Sequence, residues 1–300
     1  MSSSLGRVLV AGASGLLGGR VAGKLLDRKV PVRALTRAPG KVAELARRGA
    51  EVVQGDLLRP ESLAAACAGV DQIFSSANSF MGTGPTSPVR VDVPGYRNLG
   101  RAAEQAGVRR MVHTSALGIE DVPVDFFRVK TEVDRVIRGG STPWALLRPT
   151  AFLDVWVGIA LDQAGRGPVM VFGSGNIRAN YVSVEDVAQI AVKVLEHPEI
   201  VNEEVPIGGP SNLTQHELLD LMERVLGRKF ARKSAPRVVL RVGSVVVRPF
   251  NELAARFMAM GAWASAADRS MDSWLMTARR FGIEPLTAEQ YLAGIPKEAA

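Results

Sequence analysis

Glycines recur at positions 12, 15 and 18 in Arg7-Val-Leu-Val-Ala-Gly-Ala-Ser-Gly-Leu-Leu-Gly-Gly19. That spacing suits the close approach of a charged group to the main chain. Gly12 permits a tight turn, Gly15 has no Cβ to hold a pyrophosphate away, and Gly18 lets a helix lie close to the strand before it. The N–H groups that a helix leaves open in its first turn then face the anion, so Ser14, Leu16 and Leu17 join the glycines as phosphate-binding candidates. The flanking residues fit. Val8 to Ala11 read as a short buried strand, and Leu16, Leu17, Val21, Leu25 and Leu26 recur at helical period. A glycine-rich turn without a ligand is the alternative, and the strand and helix on either side weigh against it.

A second feature sets the kind of nucleotide. The next strand, Val30 to Arg37, ends in Thr36-Arg37, with Lys41 close behind. Folds that select NAD keep an acid about 20 residues past the glycines to hold the ribose 2′-hydroxyl. A guanidinium there instead suits a 2′-phosphate through two parallel hydrogen bonds, so the reading is NADP(H). A solvated arginine at a strand end is the competing interpretation. Ser76, Ala77 and Asn78 close the strand that starts at Asp71, and ligands of parallel sheets bind outside such carboxyl ends. The loop from Phe80 to Pro88 is rich in Gly, Pro, Ser and Thr, and is either a rim of that site or a plain surface loop.

A third feature offers proton chemistry. In Asp125-Phe-Phe-Arg-Val-Lys-Thr-Glu-Val-Asp-Arg-Val-Ile-Arg138, Phe126, Val129, Val133, Val136 and Ile137 form one helical apolar stripe. Lys130 falls on that stripe, while Arg128, Glu132 and Arg135 face away. An unpaired buried ammonium is costly. Lys130 therefore either snorkels to water at the edge of the stripe or serves ribose binding and proton transfer at a nicotinamide.

With its G-x-x-G-x-x-G turn, the chain resembles the short-chain dehydrogenase/reductase superfamily. It is most similar to the atypical, NmrA-like branch that includes isoflavone reductases and NADPH-sensing regulators. The likeness is strongest from residue 7 to about residue 225, within the reach of one α/β domain plus additions. It implies a doubly wound parallel α/β sheet, the Rossmann fold. It also implies that Asp56 with Leu57 meets the adenine, although Asp56 also suits an N-cap for the helix beginning near Pro60 and Glu61. Ser115, beside Thr114 at the end of the fifth strand, matches the serine that hydrogen-bonds a substrate carbonyl; the alternative is a hydroxyl satisfying nearby backbone. Pro149, Thr150 and Phe152, after the sixth strand, would flank the nicotinamide, with core packing the alternative for Phe152. In the superfamily's Tyr-x-x-x-Lys motif Lys130 matches the lysine, but Phe126 stands where the tyrosine would be. That departure sets aside the usual tyrosine-based alcohol–ketone chemistry. Isoflavone-reductase-like enzymes rely on the lysine without that tyrosine, whereas regulatory relatives keep the nucleotide site and lose turnover.

These residues need a scaffold, and the composition permits one. A chain of 300 residues allows one large α/β domain or one domain with a smaller companion, and a hydrophobic fraction of 47% is enough for a proper core. The expected division is a nucleotide-binding domain over 5–155, to which a strand and helix near 178–208 return, and a substrate-binding part over 156–300. Ser183 with Asp186, and Thr214 with Glu217, read as helix starts, and Gly227 as a helix stop. Cys67 is the single cysteine, so no disulfide framework exists, and His113, His197 and His216 lack metal-ligand spacing. The net charge of +7 raises the question of nucleic acid, but no aromatic-plus-basic platform accompanies it. No signal peptide is recognised and no run reaches the ~20 apolar residues of a membrane span, so the expected place is the cytosol, as monomer or homodimer. The basic stretch 228–248 is either an amphipathic helix touching lipid or a packed helix with a solvated rim. Phe257, Met258, Met260, Trp263, Met271, Trp274 and Met276 crowd together, either as an apolar substrate wall or as ordinary core. The function expected is hydride transfer from NADPH to a small or medium apolar acceptor (a quinone, enone or aromatic), with Lys130 and Ser115 as catalytic residues. A catalytically silent NADPH sensor acting through a protein partner is the alternative.

Overall fold

The computed structural model describes residues 5–120, 122 and 124–295. In chain order the first elements are β1 (Val8–Ala11), α1 (Leu16–Asp27), β2 (Val32–Thr36), α2 (Ala43–Arg47), β3 (Glu51–Gln54) and α3 (Pro60–Cys67). Then come β4 (Gln72–Ser75), α4 (Pro88–Gln105), β5 (Arg110–Thr114), α5 (Asp125–Arg138), β6 (Trp144–Pro149), β7 (Ala151–Phe152) and α6 (Leu153–Ala164). Next are β8 (Val169–Phe172), β9 (Arg178–Val182), α7 (Val184–Glu196), β10 (Glu203–Ile207), β11 (Ser211–Thr214) and α8 (Gln215–Leu226). The last are β12 (Arg232–Ala235), α9 (Arg237–Val246), α10 (Glu252–Ala264), α11 (Trp274–Phe281) and α12 (Ala288–Ala293).

Seven strands form the main sheet in the order β10-β6-β5-β4-β1-β2-β3. From β3 to β6 each neighbouring pair is parallel. The order reverses between β1 and β4, the switch point at which α/β sheets open a crevice for ligands. All four residues of β1 are buried, so the sheet is covered on both faces. On one face Leu9, Leu63, Ile73, Leu99, Met111, Ile137 and Leu146 form a continuous core. This is the doubly wound Rossmann arrangement expected from the sequence.

Contacts divide the chain into Met1–Arg148 with Val187–Pro206, and Pro149–Asp186 with Ile207–Ala300. In the first unit Arg110 holds the last turn of α7. Its guanidinium donates to the carbonyls of Val194, Leu195, His197 and Ile200 at 2.6–2.9 Å and to the Gln72 side chain. Orphan carbonyls at a helix C-terminus are thereby paired with a fixed cation. The second unit contains the β11-β9-β7 and β12-β8 sheets. Leu153, Val157, Tyr181, Leu218, Met222 and Leu292 form its core.

Within 178–208, β10 joins the main sheet, whereas β9 pairs with β7 and β11. Asp56 does not cap α3, because Arg59 occupies that position and the Asp56 carboxylate accepts the Leu58 N–H at 2.9 Å. The basic stretch contains β12, paired with β8, and then the helix α9 over Arg237–Val246. Ser183 exchanges hydrogen bonds with Asp186, and Thr214 with Glu217 closes a reciprocal cap on α8, which ends at Gly227 in a left-handed conformation. The Met- and Trp-rich stretch is mixed, with Met271 buried, Met276 73% exposed and most of the others half-buried. No described helix is long and apolar enough to cross a membrane.

Candidate functional site

The turn between β1 and α1 is shaped by what glycine omits. Gly12 has φ +95°, which L side chains rarely adopt, and a Cβ there would lie 2.8 Å from the Ala77 nitrogen. At Gly18 a Cβ would fall 2.2 Å from the Gly12 oxygen, so only glycine lets α1 approach the turn this closely. Gly15 differs. A Cβ there meets only the Gly12 oxygen, at 3.2 Å, so its small size serves the space outside the turn. Gly15 is the N-cap of α1, no side chain caps that end, and the first turn holds no acid. Ser14, Gly15 and Leu16 are exposed, whereas Leu17 and Gly18 are buried. The Gly15 N–H goes to the Gly12 carbonyl, and the N–H groups that follow, at a positive helix end with no acid in its first turn, fit a phosphate.

The other strand ends are placed in the same unit. Thr36 is buried, and its hydroxyl accepts the Ala38 N–H at 3.1 Å, shaping the turn that carries Arg37. Arg37 is exposed, and its guanidinium has no partner among the described residues. Leu57 packs against α4, where Gly95 makes room; a Cβ there would come within 2.7 Å of the Leu57 side chain. The Ser76 hydroxyl lies beside Gly18. The Ala77 carbonyl accepts the Tyr96 hydroxyl at 2.8 Å, and the Asn78 side chain donates to Ser76 O and accepts from the Phe80 N–H. Ser76, Ala77 and Asn78 are therefore held beside the glycine turn by main-chain geometry.

Around Lys130 lies a buried polar cluster that the sequence reading did not assemble. The Lys130 ammonium donates to the Thr114 carbonyl at 3.4 Å and stands 5.6 Å from the Phe126 ring centre. Burial pushes its pKa down, with Asp134 and Asp92 pulling the other way. One turn along α5, Asp134 is 2% exposed. Its Oδ2 accepts from the Ser115 hydroxyl at 2.7 Å and pairs with Arg148 at 3.2 Å. Arg148, also buried, extends to Glu204 at 3.0 Å and Glu120 at 2.9 Å. Burial raises the Asp134 carboxyl, against the lowering effect of Ser115, Arg148 and Lys130. His113 bonds Ser75 at 2.8 Å, and burial holds it well below the usual imidazole range.

Ser115 is 4% exposed, and its hydroxyl donates to the buried Asp134 carboxylate, tying the end of β5 to α5. Lys130 and Asp134 are four residues apart, the spacing at which helix side chains meet, and that was the available signal for the cluster. Phe126 is buried and packs edge to face on Phe80, with ring centres 4.8 Å apart. Of the residues after β6, Pro149 ends the strand. The Thr150 hydroxyl bonds Asn180 at 2.8 Å, and Phe152 is the half-buried N-cap of α6. These three belong to the second unit. Among the described residues no group of three or more His, Cys, Asp or Glu could hold a metal ion.

A family model described as NAD(P)H-binding matches residues 12–198. The chain is 30% identical over 223 residues to an NAD(P)H azoreductase of Xenophilus azovorans, covering 74% of each. It is 28% identical to the photosystem II assembly factor Ycf39 of Synechocystis sp., covering 78% of this chain and 72% of that one. Among solved structures it is similar to the triphenylmethane reductase of Citrobacter sp. complexed with NADP(H). The TM-score is 0.76 and the identity 25%, with 98% and 100% of the two chains covered.

Proposed function

The chain belongs to the NAD(P)H-binding family, in its NmrA-like, atypical short-chain dehydrogenase/reductase branch, and from that premise we propose that it is an NADPH-dependent reductase of apolar, conjugated acceptors. Two similar proteins are named as an NAD(P)H azoreductase and a triphenylmethane reductase, and quinones, enones and azo compounds are the classes to try here. The observation that carries the reading is Lys130, whose ammonium is kept beside the β5 end in surroundings that lower its pKa.

In this reading the α1 N-terminus with Gly12, Gly15 and Gly18 binds the pyrophosphate, and Arg37 binds the 2′-phosphate. Asp56 and Leu57 meet the adenine. Ser76, Ala77, Asn78 and Thr114 border the cofactor from the neighbouring strand ends. When bound, the nicotinamide supplies a hydride to the electron-poor atom of the acceptor. Lys130 supplies the matching proton, directly or through water, and takes another from solvent. Burial makes an ammonium a better acid, and Phe126 offers no competing hydroxyl. Asp134 is a positioning residue that holds the field around Lys130. Stopped-flow absorbance of the reduced nicotinamide across a panel of quinone, enone and azo acceptors tests this. Turnover with one class that falls on Lys130→Ala supports the reading, and no turnover across the panel overturns it.

One observation favours a second reading. Phe126 fills the tyrosine position and is packed on Phe80, which also suits a sensor whose NADPH-bound form engages a protein partner. The likeness to Ycf39, named as an assembly factor, is consistent with it. Reciprocal coupling between NADPH affinity and partner affinity, without turnover, is its signature.

A further inference from the structure

Helix α9 turns its apolar side outward. Leu240 is buried, and Gly243 lets α10 come close: a Cβ there would lie 2.9 Å from the Met258 sulfur. On the opposite side Val238, Val239, Val242, Val245 and Val246 are 55–72% exposed. At the helical step they span roughly a third of the circumference. Phe250, just beyond the helix, is 89% exposed. Single exposed apolar residues are ordinary, but five valines on one arc with an aromatic residue at its end mark an interaction surface.

The charge beside this arc selects the partner. Between Glu223 and Glu252 the sequence has eight Lys and Arg and no acid, more than the net +7 of the whole chain. Some answer to nearby acids: Arg232 pairs with Asp220 and Glu223, and Lys229 with Glu223. Lys233, Arg237 and Arg241 are exposed, and Lys233 and Arg241 form no ion pair among the described residues. Arg237 and Arg241, four apart, lie together on one flank of the valine arc. A second copy of this chain would bring like charges face to face. A nucleic acid would leave the valines without a partner, since they offer no ring for bases to stack on. A leaflet of anionic lipid satisfies both features, with the valines and Phe250 among the acyl chains and the arginines at the headgroups.

We propose that α9 is an interfacial anchor by which this protein docks reversibly on an anionic lipid surface. The proposal is independent of turnover. The test is co-sedimentation of the full chain with phosphatidylcholine vesicles, with and without phosphatidylserine, at low and high salt. Expected are pelleting with the phosphatidylserine vesicles, little with phosphatidylcholine alone, and release by salt. Val242→Asp with Val245→Asp should lower partitioning at least about tenfold. Arg237→Gln and Arg241→Gln should lower it about fivefold each, and these milder variants decide the matter if the double valine variant does not fold. NADPH titration and far-ultraviolet circular dichroism should be unchanged in every folded variant. Equal recovery on neutral and anionic vesicles, or no loss in any folded variant, overturns the proposal. So does a concentration-dependent dimer, in sedimentation velocity, that the valine substitutions abolish.

Discussion

Replacing Gly15 and Gly18 separately by alanine should split one motif into two different failures. At Gly18 the new Cβ would lie 2.2 Å from the Gly12 oxygen and 2.7 Å from its carbonyl carbon. Both atoms are backbone, so the turn or the helix must shift by most of an ångström. Overpacking of that kind costs about 1–3 kcal/mol, and for a domain of this size each kcal/mol lowers Tm by about 2–4 °C. Gly18→Ala should therefore lose several degrees of Tm as well as nucleotide affinity. At Gly15 the Cβ meets one oxygen, at 3.2 Å, and the backbone is already extended at φ −88° and ψ 166°, which alanine adopts without strain. Fold stability should change by less than about 1 kcal/mol, the range of a glycine-to-alanine change at an N-cap. The methyl group nevertheless occupies the approach path of the pyrophosphate. NADPH affinity should fall at least tenfold, about 1.4 kcal/mol. Differential scanning fluorimetry reads the first effect and fluorescence titration of NADPH the second. Normal nucleotide affinity in a stable Gly15→Ala protein would refute the cradle, and normal Tm in Gly18→Ala would refute the close-packing argument.

Arg37→Glu should weaken NADPH by about 1.5–3 kcal/mol and NADH far less, since only NADPH loses a charge-assisted phosphate contact; equal losses in parallel titrations refute that role. Lys130→Ala should slow acceptor reduction about 10²–10⁴-fold with NADPH binding retained, whereas Phe126→Tyr should leave the rate near that of the unaltered protein. The ammonium is the active form and burial lowers its pKa, so the wild-type rate should fall as pH rises through a value below that of an ordinary lysine. That alkaline limb should vanish in Lys130→Ala, and a limb that persists assigns it to another group. Arg148→Met leaves Asp134 buried without its cation and should destabilise the fold by about 3–5 kcal/mol in urea denaturation. Adding Asp134→Asn should restore part of the loss; no recovery would mean that the pair is not the source.

The nucleotide half of the fold was legible because its signals are local. Val8 to Ala11 followed by Gly12, Gly15 and Gly18 specify strand, turn and helix within a few residues, and the stripe on α5 placed Lys130 from its period alone. Capping pairs such as Thr214 with Glu217 are equally local. The remainder depended on residues far apart in sequence. Ser115 reads as a substrate-binding serine or as a hydroxyl satisfying backbone, and only the packing of β5, β6 and α5 brings it to Asp134 and its partner Arg148. Asp56 reads as a cap until the chain is seen to run three residues further before α3 begins. Which strand within 178–208 returns to the main sheet likewise depends on pairing across distant segments, β10 beside β6. The outward face of α9 is the plainest case. Periodicity shows that its valines share a side, but only tertiary packing, with Leu240 and Gly243 turned toward α10, decides which side meets the protein and which meets solvent.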